Sequence, residues 1–243
     1  MEYGLQLYSV RDAAKENFEE MLAAVAGLGY TLVESAGFFG RSAAEVKATL
    51  DALGLTLVST HTGYADVVNK PEEVIAFHRE LGCCDVVIPS APLGTKDEVD
   101  AFVDAVNRVQ PIYEAAGMRL HYHNHSSEFL QSSDGIAAEY EIIDRTSLGI
   151  ELDIFWAYHA GVDPVAFLEK YRDRIRMIHL KDGTSEGGRA IGKSLGLGTA
   201  PILAARAKAI ECGMTVIVES EGLDPTGLEE VARCIEFLKG IDE

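Results

Sequence analysis

The segment HYHNH, at residues 121–125, places three of the chain's seven histidines at alternating positions. An imidazole can ligate a metal or transfer a proton near neutral pH. If this segment ends a β-strand, His121 and His123 point to the same side, because side chains alternate along a strand. His125 lies where the strand should already end. The chemistry of the pair therefore depends on what other strands bring to the same side.

Several other short apolar runs also end in polar or charged side chains. Alternation assigns these polar residues to one side of each strand and the branched apolar residues to the other. A charge buried alone is costly, so it must find a partner or a metal. One inward histidine or glutamate is usually a hydrogen-bonded structural residue, but convergence from six strands indicates a functional site. The predicted inward residues are Glu34, His61, His121, His123, Asp153, His179 and Glu219.

Asp153, His179 and Glu219 form the strongest subset of these residues. Two carboxylates and one imidazole are a hard, mixed oxygen and nitrogen ligand set. Such a set suits one divalent ion, Mn²⁺, Co²⁺, Zn²⁺ or Mg²⁺, and does not choose among them. A metal held there would polarise a carbonyl or a pair of hydroxyl groups on a substrate.

The elements that must position these residues are short apolar runs alternating with amphipathic stretches. The amphipathic stretches carry helix signals: Glu45 follows Ser42 at the capping-box position, and Gly29, Gly54 and Gly82 follow helical runs. Eight strands are predicted, at residues 3–8, 31–35, 55–61, 85–90, 119–125, 148–154, 175–181 and 215–220.

Eight β/α units in 243 residues, with no linker dividing them, predict a single (β/α)₈ TIM barrel over residues 1–243. The alternative is a doubly wound open sheet. That alternative is disfavoured because the segment LYSVRDAAKEN after the first strand lacks the glycines of a dinucleotide-binding turn. In a TIM barrel the active site lies at the carboxyl ends of the strands, where the polar residues cluster.

The charge of the chain disfavours anionic partners. A formal net charge of −18 repels phosphate backbones and anionic membranes, so neither nucleic acid nor a membrane is an expected partner. No apolar run is long enough to span a bilayer, and the first residues do not resemble a signal peptide. The four cysteines lack C-x-x-C spacing and are expected to be free thiols, so we expect a cytoplasmic location.

Several segments together resemble the sugar phosphate isomerase/epimerase family, which has a xylose isomerase-like TIM barrel. The resemblance extends from the first to the last predicted strand, and the order and spacing of the segments make it specific to the family. It does not specify a reaction, because the family includes epimerases, isomerases, dehydratases and lyases acting on 3-keto-glycosides. The segments are GLQLYSVRD, GYTLVESAGFFG, YHNHSSEF, LDIFWAYHAGVDP, IHLKDG and VIVESEG.

The resemblance implies a metal held by Glu, Asp, His and Glu from the last four strands. Asp153, His179 and Glu219 match the last three positions, whereas the first position falls on His121. His121 is then the expected fourth ligand, with Glu128 as the alternative. In the epimerases of the family the first and last ligands also move the substrate proton, so His121 and Glu219 are the corresponding pair here.

Other residues near the same rim are expected to contact the substrate. Lys181 could stabilise a developing enediolate, and Arg11 could bind an anionic group, although either could instead form a rim ion pair. His123 is a further candidate base. Trp156 could pack against a sugar face, and it replaces a histidine that related DNA-repair barrels carry, which disfavours a nuclease. The predicted substrate-binding residues are Glu34, His61, Trp156, Gln6 and Arg11.

The predicted function is a metal-dependent isomerase or epimerase of a sugar or sugar phosphate. The enzyme would remove a proton next to a carbonyl, with the metal stabilising the enediolate. The alternative is a lyase or dehydratase that uses the same site for β-elimination on a 3-keto-glycoside or a related keto-sugar. His121 in place of glutamate favours elimination, which needs one base and one acid rather than two bases. A non-catalytic sugar-binding barrel is a third possibility, and a homo-oligomer is possible for each.

Overall fold

The computed structural model describes residues 1–242, which form a closed parallel barrel of eight strands. The predicted (β/α)₈ fold is thereby confirmed. Around the barrel the strand order is β1-β2-β3-β4-β5-β6-β7-β10. The barrel strands are β1 (Gly4–Gln6), β2 (Leu32–Ser35), β3 (Thr56–His61), β4 (Asp85–Ile88), β5 (Arg119–His123), β6 (Gly149–Asp153), β7 (Ile175–Leu180) and β10 (Thr215–Val218).

Two further strands lie outside the barrel and were not predicted. β8 (Asp182–Glu186) and β9 (Arg189–Lys193) pair antiparallel and form a hairpin directly after β7. Gly187 and Gly188 form its turn, both with positive φ. The hairpin lacks an apolar alternating pattern because most of its side chains are exposed or half-buried, so hydrophobic periodicity gave no signal for it.

The helices surround the barrel and carry the predicted caps. Ser42 and Glu45 form a complete capping box at the start of α3, and Gly29, Gly54 and Gly82 end their helices in the left-handed conformation. The helices are α1 (Arg11–Glu16), α2 (Phe18–Leu28), α3 (Ala43–Leu53), α4 (Tyr64–Asn69), α5 (Pro71–Leu81), α6 (Lys96–Ala115), α7 (Ala138–Arg145), α8 (Ile154–His159), α9 (Pro164–Tyr171), α10 (Ile202–Glu211) and α11 (Gly227–Asp242). Two short 3₁₀ turns, Leu7–Val10 and Ser127–Phe129, follow β1 and β5.

Two apolar layers hold the barrel together. The larger core lies between the strands and the helices and receives outward-facing residues such as Ile150 and Leu152. A small inner cluster, Val87, Met177 and Ile217, fills the barrel interior. The registers then set the polar residues at matching heights: Asp153 lies level with His179, and His123 lies level with Glu151. No helix within residues 1–242 combines the length and apolar character needed to cross a bilayer.

Glu139, in the first turn of α7, is an ionisable side chain buried in the core of this scaffold. Its side chain is completely buried, and neither carboxylate oxygen has a hydrogen-bond partner among residues 1–242. Burial, reinforced by neighbouring Glu128 and opposed by Arg174, raises the pKa of Glu139 from 4.5 to about 8. The folded protein therefore keeps a proton that the unfolded chain releases at lower pH. The free energy of unfolding falls as the pH rises from 4.5 to about 8.

Replacing Glu139 with glutamine should stabilise the protein at pH 8 by on the order of 2 kcal/mol, because the carboxylate no longer has to be protonated or ionised in the core. The gain should shrink as the pH falls and disappear below about 4.5, where the wild-type side chain becomes protonated in the unfolded state as well. Urea unfolding at several pH values measures this. The control is Glu72→Gln, at an exposed position in the first turn of α5. A gain that does not change with pH would contradict the assignment.

Candidate active site

Four residues meet at the carboxyl ends of neighbouring barrel strands. His123 and Asp153 are the last residues of β5 and β6, His179 lies near the end of β7, and Glu219 directly follows β10. One nitrogen or oxygen from each lies within 4.8 Å of the others, and all four side chains are buried. The interior of the barrel therefore brings two imidazoles and two carboxylates together at its rim.

The donor set of this cluster fits one divalent cation. Asp153 accepts the Trp156 backbone N–H through Oδ1 at 2.9 Å, but its buried Oδ2 has no hydrogen-bond partner within residues 1–242. The buried Nδ1 of His123 likewise makes no hydrogen bond there, although Glu151 Oε2 lies 3.3 Å from it. Buried polar atoms are rarely left unpaired, and imidazole and carboxylate donors suit Zn²⁺, Mn²⁺ or Co²⁺. Burial raises the pKa of Asp153 to about 7, and a bound cation would favour its ionised form.

His179 is oriented as metal-ligating histidines usually are. Its Nε2 lies 2.7 Å from Glu34 Oε1, whereas its Nδ1 lies 3.1 Å from Glu219 Oε2. A proton on Nε2 donated to Glu34 leaves the Nδ1 lone pair directed towards the cluster. Burial by itself lowers the pKa of His179, but the carboxylates around it, including the ionised Glu219 and Glu34, outweigh it and hold the pKa well above its usual value. A cation bound at Nδ1 would displace the proton there.

A second polar layer supports the cluster from inside the barrel. Glu34 accepts hydrogen bonds from Gln6 Nε2 and from Ser59 Oγ, each at 2.5 Å, in addition to its contact with His179. His61 Nε2 lies 2.7 Å from Glu151 Oε2. This layer fixes the side chain of His179 and leaves it little freedom to rotate.

The two carboxyl groups of this layer share one negative charge. Burial raises both pKa values, but His61 and His179 overcome it at Glu34 and lower that pKa to about 2. At Glu151, burial and the negative charge of Glu34 raise the pKa to about 8. Glu34 is therefore ionised and Glu151 protonated near neutral pH, which limits the negative charge that the barrel interior must hold.

Lys181 follows β7 and is the cation of the site. Its Nζ lies 2.6 Å from Glu221 Oε2, 3.2 Å from Glu219 Oε2 and 3.6 Å from Asp153 Oδ2. Burial opposes its charge, but these carboxylates raise the pKa of Lys181 above its usual value, so the ammonium stays protonated. The Trp156 ring covers it at 4.7 Å. The structure thus places the predicted Lys181 beside this four-residue cluster.

A cavity of about 420 Å³ opens above the cluster. His61, His123 and Glu219 line it, so these three predicted residues reach the space where a substrate would lie. His125 also lines it, with its side chain 38% exposed. The sequence left His125 unassigned because it follows the end of β5, where alternation no longer determines direction. The exposed ring of Tyr8 forms another part of the wall.

The structure does not bring His121 into this cluster, where it was predicted to act as a metal ligand and base. It lies two residues earlier on β5, roughly 6.6 Å deeper along the strand. Its Nε2 lies 2.7 Å from Asp85 Oδ1, at the amino end of β4, where Asp85 also binds Arg119. A Cβ at Gly149 would lie 2.1 Å from His121 Nδ1, so the glycine makes room for this ring. His123 occupies the place in the cluster that His121 was expected to fill.

Glu128 does not reach the four-residue cluster either. Its carboxylate accepts hydrogen bonds from the Tyr122 hydroxyl at 3.0 Å, the His125 backbone N–H at 3.1 Å and the Ser127 hydroxyl at 2.8 Å. These contacts fix the turn that follows β5. Glu128, which was predicted as the alternative ligand, thus directs its oxygens at the loop that carries His125 and not at the cluster.

Three predicted substrate-binding residues have other contacts. Gln6 and Glu34 are completely buried and bind each other, so they lie beneath the cavity rather than in its wall. Arg11 donates to the backbone carbonyls of Tyr8 and Glu221 and stacks on the Tyr8 ring. It orders the rim instead of presenting its guanidinium to the cavity. Alternation predicts which side chains point inward but not their depth. Inward side chains that lie below the cavity bind one another and not a substrate.

Trp156 lies beside the cavity, where its role in substrate binding stays a prediction. Its ring centroid is 5.7 Å from that of His125, and the ring also covers Lys181. The indole Nε1 has no hydrogen-bond partner within the described part of the chain. The ring therefore restricts the two side chains closest to it.

Comparison with known proteins gives one family and several relatives. The model of the xylose isomerase-like TIM barrel family matches residues 22–240. Inosose dehydratase of Geobacillus kaustophilus (strain HTA426) is 27% identical over 189 residues, which are 68% of this chain and 61% of that protein. Inosose dehydratase of Clostridium beijerinckii (strain ATCC 51743 / NCIMB 8052) is 26% identical over 196 residues, 70% of this chain and 65% of that protein. The matched region thus spans less than two thirds of either relative.

A solved structure is similar over nearly the whole chain. The sugar phosphate isomerase/epimerase from Parabacteroides distasonis ATCC 8503 superposes with a TM-score of 0.81 and is 27% identical. The superposition covers 98% of this chain and 93% of that one. The structural relative and the curated relatives therefore carry the names of two different reactions.

Substituting His121 and His123 separately should distinguish their positions. His123→Ala should weaken divalent metal binding at least about tenfold, because one ligand is lost. His121→Ala should leave metal affinity within about twofold of wild type but lower the unfolding free energy by roughly 1–3 kcal/mol, because Asp85 loses a buried partner. Chelator competition and urea unfolding measure the two quantities. Loss of metal in His121→Ala with retention in His123→Ala would reverse our assignment.

Proposed function

Because the chain belongs to the xylose isomerase-like TIM barrel family, we propose that it is a divalent-metal-dependent enzyme that removes a proton next to the carbonyl of a keto-sugar or keto-polyol. The observation that carries this proposal is the cluster of His123, Asp153, His179 and Glu219, which lies beside a buried ammonium under an open cavity. Such a site combines a base, a positive charge and room for a substrate, which enolisation requires.

The protein groups have separate tasks in this mechanism. His123, Asp153, His179 and Glu219 would hold the metal, which supplies positive charge to polarise the substrate carbonyl when bound. Lys181 lies beneath the cavity wall, and its buried ammonium offsets the negative charge of Asp153, Glu219 and Glu221, so that further negative charge can develop on the substrate oxygen as the proton leaves. Its three carboxylate contacts hold it in place before the substrate arrives.

Glu219 is the proposed base. Both His179 and Lys181 contact it through Oε2, and the residue lines the cavity, which leaves Oε1 to accept a proton from the substrate carbon. Glu34 acts only through His179, by fixing the ring that Glu219 contacts. It is therefore a positioning residue and does not touch the substrate.

We favour elimination as the outcome. After Glu219 takes the proton, the electron pair forms a carbon–carbon double bond, the β-hydroxyl leaves, and a proton from an acid completes a water molecule. His125 lies at the cavity wall and could supply that proton. His123 fills the place in the cluster that the resemblance assigned to His121 and that is a glutamate in related epimerases, so the cluster offers one glutamate base rather than two. The inosose dehydratases, which share 26–27% identity with this chain, support the same outcome.

Isomerisation or epimerisation is the second candidate function. The 27% identical structure from Parabacteroides distasonis, which superposes over 98% of this chain, is named a sugar phosphate isomerase/epimerase. The same first step serves both outcomes, and they differ only in where the next proton is added. His125 and Glu219 would then deliver protons to the substrate carbon instead of to a leaving hydroxyl.

Incubation with cyclic and open-chain keto-sugars in deuterated water separates the two outcomes. Elimination should release water and give a conjugated ketone detectable by its ultraviolet absorption and mass. Deuterium in an intact sugar would instead favour an isomerase or epimerase.

Lys181→Met should lower kcat on the order of 100-fold or more, since the site loses its fixed positive charge. The control is Lys47→Met, on the exposed face of α3. No reaction from the metal-loaded protein with any of these compounds would contradict the proposal.

A further inference from the structure

The cavity above the metal cluster has acidic walls. Glu219 and Glu221 line it together with three histidines, His61, His123 and His125. Within residues 1–242 the lining contains neither lysine nor arginine. A substrate entering this cavity therefore meets hydrogen-bond acceptors and imidazoles before it meets a cation.

Lys181, the cation beneath the wall, is already neutralised. Three carboxylates lie within 3.6 Å of its Nζ, and the side chain is completely buried. A divalent metal and Lys181 together would only balance Asp153, Glu219 and Glu221. The site therefore has no surplus positive charge with which to bind a phosphate monoester, which carries about −1.5 to −2 charges at neutral pH.

Arg11, which contacts two residues of the cavity wall, is also engaged. One terminal nitrogen of Arg11 donates to the Tyr8 carbonyl at 2.9 Å, and the other donates to the Glu221 carbonyl at 3.0 Å. Its guanidinium also stacks on the Tyr8 ring at 4.3 Å. Binding a phosphate through Arg11 would break the contacts that order Glu221 and the cavity mouth.

The glycine-rich loop after the hairpin is filled by a carboxylate of the protein itself. Many TIM barrels bind phosphate with backbone N–H groups in this region. Here the N–H groups of Gly196, Gly198 and Ala200 donate to Asp182, at 3.0, 2.9 and 3.1 Å. A Cβ at Gly198 would lie 2.1 Å from Asp182 Oδ1, so the loop closes tightly around this side chain. A phosphate would have to displace Asp182 from all three donors.

From these observations we infer that the cavity selects uncharged keto-sugars or keto-polyols and rejects their phosphate esters. The inference rests on the proposed function for the reacting carbonyl, but the selection itself depends only on the cavity walls. Hydroxyl groups can donate to the oxygens of Glu219 and Glu221 and exchange hydrogen bonds with His61 and His125. A cavity of about 420 Å³ lies within the range that proteins use for small ligands.

Binding to the metal-loaded protein tests this selection apart from turnover. Isothermal calorimetry with myo-inositol, myo-inositol 1-phosphate and inorganic phosphate should show the neutral polyol binding at least about tenfold more tightly than its phosphate ester, because like charges at a binding site are strongly disfavoured. An equal or tighter affinity for the ester, or no binding of the neutral polyol, would overturn the inference. If the neutral polyol binds and no keto-sugar reacts, only the proposed function fails.

A charge substitution at the cavity provides the second test. Glu221→Gln removes one negative charge and frees Lys181 from its shortest ion pair. The ratio of the affinity for myo-inositol to the affinity for its phosphate ester should therefore fall at least about fivefold. Glu236→Gln, at an exposed position on α11, changes the net charge equally and should leave the preference within about twofold of wild type. Equal narrowing in both variants would attribute the preference to overall charge and contradict selection by the cavity.

Discussion

The pairing of His179 with carboxylates on both sides is the interaction on which the rest of the site depends. One ring nitrogen contacts Glu34 and the other contacts Glu219, so the imidazole connects the inner polar layer with the metal cluster. An ionised carboxylate in the barrel interior needs a partner, and a ring held from both sides provides one. The protonated Glu151 then relieves the remaining repulsion. The orientation of His179 at the rim is thus determined by Glu34, which lies in the polar layer below it.

The sequence predicted the barrel and the inward direction of the polar residues, because both depend on alternation. Eight apolar runs followed by amphipathic stretches are compatible with few folds of this length. Alternation also places Asp153, His179 and Glu219 on one face regardless of exact strand ends. The membership of these three residues in the cluster was therefore predictable without knowing how the strands align.

Depth along a strand could not be predicted in the same way. His121 and His123 point in the same direction, and only the register of β5 against β4 and β6 places one at the floor and the other at the rim. Irregular pairing at Val33 and Ile150 shifts neighbouring registers further. Loop contacts posed a second difficulty, since the enclosure of Asp182 by glycine N–H groups leaves no periodic signal. The height of an inward residue along the barrel axis determines whether it can contact a ligand or only another side chain.

The central claim is that one metal binds at the rim through His123 and not at His121. Anomalous diffraction from crystals grown with Mn²⁺ or Zn²⁺ tests it most directly. We expect a single strong peak within about 2.0–2.3 Å of atoms from His123, Asp153, His179 and Glu219. A peak coordinated by His121 or Glu128, or no peak at the rim in crystals saturated with either metal, would contradict it.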